Sequence, residues 1–179
     1  MKRWKEKEFE EKYSNIVDNI YKSLVPIKEI SRSKYSPSMT KELFADKYLG
    51  VDTILKLQNG ASISIQEKLR NSKVLNTYSP ALCIELMNMS SSNEVTTRNG
   101  EWFYAIPQLY FIGYVNVLTG NIIEWYLIDT AKLKLIFANK TLEELKKKYL
   151  QKNALPRKAN FLAVPITDIV NAVLLHYKL

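Results

Sequence analysis

The 179-residue chain predicts one α/β domain spanning 1–179, a mixed central β-sheet flanked by helices, and three observations lead there. Apolar residues recur at helical spacing from about Arg3 to Leu24. Two strand-like runs meet at Asn59-Gly60. The rest of the chain alternates short apolar runs with capped helical segments. At 46% hydrophobic, the composition suffices for one substantial core, and the length is short for two ordinary domains.

Each element has a local reason. Phe9, Tyr13, Ile16, Val17, Ile20, Tyr21 and Leu24 form a stripe that one helix face would bury, and Val25-Pro26 ends that helix. Ser31 to Thr40, rich in Ser, Pro and Lys, reads as an exposed loop. Gly50 to Arg70 reads as a β-hairpin, because Val, Ile and Thr flank an Asn-Gly pair. Asn71 to Pro80 is turn-rich, Ala81 to Met87 reads as a buried strand, and Ser90 to Gly100 as a loop. Glu101 to Gln108 reads as a short helix or turn. Leu109 to Val117 and Asn121 to Asp129 then form a strand pair around Thr119-Gly120-Asn121. Asp129-Thr130 caps a helix running from about Ala131 to Phe137, and Thr141 with Glu144 makes a capping box for the next. Phe161 to Val164 predicts a strand, and Thr167 a cap for a helix from Asp168 to Tyr177.

The hairpin register follows from which face is buried. A two-residue turn at Asn59-Gly60 pairs Asp52 with Glu67, whereas a three-residue loop with Gly60 as a left-handed bulge pairs Leu57 with Ala61 and Asp52 with Gln66. Only the bulged register gathers Val51, Thr53, Leu55, Leu57, Ile63, Ile65 and Leu69 on one face. Asp52, Gln66 and Lys68 then converge on the other. Glu67 falls on the apolar face, at a frayed strand end or as partner to a basic group; with the shorter turn it would be the metal ligand instead.

At these residues the hairpin resembles the catalytic core of the PD-(D/E)XK, or restriction-endonuclease-like, nuclease superfamily, where an acid opens one strand and an acid-x-Lys step follows on the next. Here Gln66 stands at the acid position, a variant similar to the Asp plus Gln-x-Lys form of Mrr-type nucleases, and Val51 replaces the usual proline. The resemblance implies a restriction-endonuclease-like fold. It also implies a Mg²⁺-dependent DNA endonuclease, with Mn²⁺ as a substitute. Asp52 would be the metal ligand, Gln66 a neutral oxygen donor and Lys68 the cation that stabilises developing phosphorane charge. A site with one carboxylate calls for another. Glu85, an acid in an apolar strand that is costly to bury alone, and Glu10, on the first helix where the family often places an acid, are the candidates.

An ordinary cross-strand ion pair on a solvated face would also place Asp52 near Lys68, contributing only about 0.2–1 kcal/mol. Arg32 and Lys34, in the loop before the hairpin, and Arg70, at its end, are the candidate DNA contacts; a plain linker is the other reading of that loop. The Lys146-Lys147-Lys148 run reads as a solvated helix face.

Composition narrows the classes. With 26 basic against 18 acidic residues, net charge +8 and pI near 9.4, the chain suits a polyanionic partner, here DNA. A homodimer is compatible with that partner. No signal-like or membrane-spanning run appears, so a soluble, intracellular, cytoplasmic protein is expected. The single Cys83 excludes an internal disulfide, and the single His176 argues against a Ser-His triad or a multi-histidine metal site. The alternative function is a nucleic-acid-binding module that keeps the fold without catalysis. An unrelated α/β interaction protein is favoured only if Asp52 and Lys68 face opposite ways.

Overall fold

The computed structural model describes residues 2–32, 49–89, 97–99, 102, 105–152 and 160–179. Helix α1 (Lys2–Leu24) carries the predicted stripe. Tyr13, Val17 and Tyr21 are buried, and Phe9, Ile16 and Ile20 pack beside them. Burying side chains of this size stabilises the fold by roughly 1.5–3 kcal/mol each.

The stripe rests on a six-stranded mixed sheet ordered β1-β2-β3-β6-β7-β10. Its strands are β1 (Ile27–Arg32), β2 (Thr53–Leu57), β3 (Ser62–Asn71), β6 (Leu109–Val115), β7 (Ile122–Asp129) and β10 (Val173–Lys178). All neighbours are antiparallel except β3 and β6, which run parallel. Leu55, Ile65, Leu69, Phe111, Trp125 and Leu127 face α1.

The other face, with Tyr110, Ile112, Tyr114, Tyr126 and Ile128, meets a second, antiparallel sheet ordered β5-β4-β9-β8. That sheet comprises β4 (Ala81–Met89), β5 (Thr97–Asn99), β8 (Leu150–Lys152) and β9 (Asn160–Pro165). It contributes Leu82, Ile84, Leu86, Leu162 and Val164 to the shared core. Helix α2 (Thr130–Phe137) and helix α3 (Leu142–Tyr149) close this core with Leu133, Phe137, Leu145 and Tyr149.

The caps predicted at Asp129 and Thr141 form, whereas Thr167 lies inside a 3₁₀ segment and caps no helix. Asp129 accepts from Lys132 N at 3.0 Å. Thr141 and Glu144 form the reciprocal capping box. Other elements differ from expectation, among them Thr97–Asn99, a strand within the expected Ser90–Gly100 loop, and the strand Leu150–Lys152. Ser31 and Arg32, expected to open a loop, instead end the strand Ile27–Arg32. β4 lies in the second sheet, so the neighbour of β3 is β6. The expected helix from Asp168 to Tyr177 is a 3₁₀ segment (Ile166–Ala172) followed by β10, which completes the open edge of β7.

Candidate functional site

The hairpin adopts the bulged register. Thr53 pairs with Ile65, Ile54 with Ser64, Leu55 with Ile63 and Lys56 with Ser62. Leu57 N donates to Ala61 O at 2.8 Å, Gly60 N donates back to Leu57 O at 3.1 Å, and Gly60 has φ +86°.

The regular ladder stops at Thr53, and Asp52 sits just outside it. Its N–H donates to Ile65 O at 3.0 Å, and its Oδ2 accepts from Glu67 N at 2.9 Å. The carboxylate is therefore anchored to the backbone between Gln66 and Lys68. Gly50 makes this approach feasible. At φ +60°, a β-carbon there would stand 2.8 Å from Ala105 Cβ and 3.5 Å from Gln66 Oε1, and Ile106 N donates to Leu49 O at 2.9 Å.

Gln66 and Lys68 alternate with Ile65, Glu67 and Leu69, so they take the face turned from α1. Gln66 is 5% exposed, and its Oε1 has no hydrogen-bond partner. Lys68 is half-buried, in register with Ile112.

Glu67 takes the α1 face, and its partner is basic, one of the two roles the register allows. Its carboxylate accepts from Tyr21 Oη and Thr53 Oγ1, both at 2.9 Å, and from Arg32 Nη1. Arg32 also donates to Thr53 Oγ1 at 3.0 Å, and its Nε lies 3.1 Å from Asp18 Oδ1. Burial alone would lower the Arg32 pKa, but Glu67 and Asp18 outweigh it and hold the guanidinium charged. Burial first, and then the Glu67 charge, push the Tyr21 phenol well up. Arg32 is thus an internal strut. This corrects its expected role as a DNA contact, because the guanidinium is turned into the protein by two carboxylates.

The two expected acids lie elsewhere. Glu85 alternates with the core residues Ile84 and Leu86 and pairs in register with Phe161, which puts it on the far face of the second sheet. Glu10 belongs to α1, across the first sheet from Gln66 and Lys68. Lys34 lies outside the described residues. Arg70 is half-buried at the end of β3, in register with Tyr114. That row continues through Glu124 to Lys178.

Glu124, 3% exposed, accepts from Tyr126 Oη, with His176 Nε2 at 3.3 Å and Lys178 Nζ at 3.6 Å. The lone histidine therefore sits on a strand, its ring stacked on Tyr126 at 4.3 Å. Sequence reasoning passed over Glu124, although an acid inside the apolar run Ile122–Asp129 is the same signal that drew attention to Glu85.

Among the described residues, no three His, Cys, Asp or Glu side chains gather into a metal-holding group. The Asp52 carboxylate is held at Glu67 N, one residue along β3 from Gln66, whose buried Oε1 has no hydrogen-bond partner. Two hard oxygens suit Mg²⁺, which keeps several waters and needs only one or two carboxylates. No helix among the described residues is long and apolar enough to cross a membrane. In comparison with known proteins, the chain matches no family model, no curated protein and no solved structure.

Proposed function

We propose that this chain is a metal-dependent DNA endonuclease of restriction-endonuclease-like fold. The observation that carries the reading is the Asp52 carboxylate anchored at Glu67 N, between Gln66 with its unpartnered Oε1 and Lys68 on the same strand. The order of α1, the antiparallel β1, β2 and β3, and the mixed sheet they begin supports the fold. The net charge of +8 supports a polyanionic substrate.

Asp52 and Gln66 would hold Mg²⁺ or Mn²⁺, which when bound polarises the phosphoryl oxygen and activates water. Lys68 offsets charge developing on the phosphoryl oxygens. The backbone anchor at Glu67 fixes the Asp52 carboxylate before substrate arrives. That reduces the reorganisation needed for reaction.

A second reading, a nucleic-acid-binding module without catalysis, is favoured by the positions of Glu85 and Glu10, which leave Asp52 as the one carboxylate of the proposed site among the described residues. Incubating the protein with supercoiled, linear and branched DNA in Mg²⁺ and Mn²⁺ separates the two. Cleavage that depends on metal and on Asp52 supports the nuclease. Salt-sensitive binding with no cleavage under any metal establishes the binding module instead.

A further inference from the structure

A cavity of about 130 Å³ lies beside the proposed site, its wall including Trp102, Ala105, Tyr110, Thr130, Lys134 and Phe137. It shares structure with the site at two points. Tyr110 is the ladder partner of Gln66, and Ala105 packs against Gly50, where Gln66 Oε1 also approaches.

The walls specify a ligand. Trp102 and Phe137, with ring centroids 6.1 Å apart, join Tyr110 in lining the space with aromatic surface, which suits a flat ring. Thr130 is 5% exposed, and its Oγ1 has no hydrogen-bond partner. A buried hydroxyl left unpaired is costly, so an occupant with a polar edge gains by satisfying it. Lys134 adds a cation for an anionic group attached to that ring. An enclosed cavity of about 150 Å³ accommodates benzene, so a space of about 130 Å³ takes one six-membered ring more readily than a fused purine.

From these features we propose that the cavity binds a single unpaired pyrimidine base, with its 5′-phosphate toward Lys134. The proposal rests on the nucleic-acid reading above and deepens it. The substrate strand would present an unstacked pyrimidine nucleotide next to Asp52 and Gln66. Unstacking costs a few kcal/mol in a duplex and least where the base is already unpaired, so single-stranded or mismatched DNA is the favoured substrate class.

The test uses the full chain and deoxycytidine 5′-monophosphate, with deoxyadenosine 5′-monophosphate and inorganic phosphate as comparators, read by tryptophan fluorescence and thermal shift. The expected result is quenching and stabilisation by the pyrimidine nucleotide, at least tenfold weaker binding of the purine, and none of phosphate. Trp102→Phe should remove the quenching while thermal stabilisation persists. Thr130→Val, which deletes only the unpaired hydroxyl and keeps the shape, should fold normally and bind about tenfold more weakly. Equal binding of purine and pyrimidine, no binding of either, or unchanged affinity in Thr130→Val overturns the assignment. The outcomes separate from those of the nuclease reading. Pyrimidine binding without DNA cleavage leaves the cavity assigned and removes the nuclease, while cleavage without pyrimidine binding does the reverse.

Discussion

Arg32 on β1 and Glu67 on β3 are joined beneath β2, with Thr53 hydrogen-bonded to both and Asp18 of α1 holding the far side of the guanidinium. The Arg32 side chain is 16% exposed and that of Glu67 6%. Removing Arg32 leaves the buried Glu67 charge without its cation, whereas removing Glu67 leaves Arg32 still paired with Asp18. Arg32→Ala should therefore lower unfolding free energy by about 3–5 kcal/mol in urea titrations, and Glu67→Ala by less, because Asp18 still neutralises Arg32. The double variant Arg32→Met/Glu67→Leu should lie closer to wild type than either single change. A loss under about 1 kcal/mol in both single variants would show that the strut carries little.

The proposed chemistry divides ligand from cation. Asp52→Ala should abolish metal-dependent cleavage. Lys68→Ala should slow it while leaving DNA affinity largely intact, since counterion release over the wider basic surface supplies most of that affinity. Single-turnover cleavage and binding titrations at several salt concentrations check this. A large, equal loss of affinity in both variants would place these residues in binding rather than reaction.

Gly50 and Gly60 both have positive φ but differ in surroundings. A β-carbon at Gly60 meets nothing within 4 Å, whereas at Gly50 it meets Ala105. Gly60→Ala should cost about 1–2 kcal/mol from backbone strain alone. Gly50→Ala should cost more by the steric contact. Thermal denaturation of the pair measures the difference, and equal costs would mean that Ala105 yields easily.

Acid should loosen the junction between α3 and the 3₁₀ segment. Asp168 accepts from Tyr149 Oη at 2.8 Å and pairs with Lys148 at 2.9 Å. The Lys148 hydrogen bond, then that of Tyr149, holds its carboxyl below the usual aspartate value. A folded-state pKa below the unfolded one gives stabilisation present above the unfolded value and lost as pH falls through the folded value. The Tm gap between wild type and Asp168→Asn should therefore be open at neutral pH and close in acid. A gap that does not narrow below the ordinary aspartate range would contradict the assignment.

Much of the fold was legible where local signals agree. The α1 stripe, the bulged register and the caps at Asp129 and Thr141 each follow from side chains within a few residues. What escaped was decided at long range. Ile27 and Ile30 stand three apart, out of phase for a flat strand, and a register shift between Ile27 and Glu29 lets both pack toward α1. Val173 to Tyr177 is a short apolar run with no period of its own, so the open edge of β7 settles its conformation. Consecutive strands usually pair, which would set Glu85 beside β3, whereas the chain leaves the first sheet after β3 and returns at β6. At the site, the face shared by Gln66 and Lys68 was readable from alternation, while the anchoring of Asp52 on Glu67 N and the neighbouring cavity depend on where Ala105, Tyr110 and Thr130 arrive.

The two sheets are threaded through one another along the chain, and this bears on how the molecule is made. β4 is synthesised before β6, yet its partner β9 comes only at Asn160–Pro165, after the first sheet has gained β7. During translation the apolar side of β6 and β7 must wait for its cover. A nascent chain that had paired β6 with β7 would still expose that apolar face until β9 arrives, a surface open to chaperone capture or self-association. Closing this core depends on pairing β4 with β9 across a long stretch of sequence, the kind of contact that slows folding.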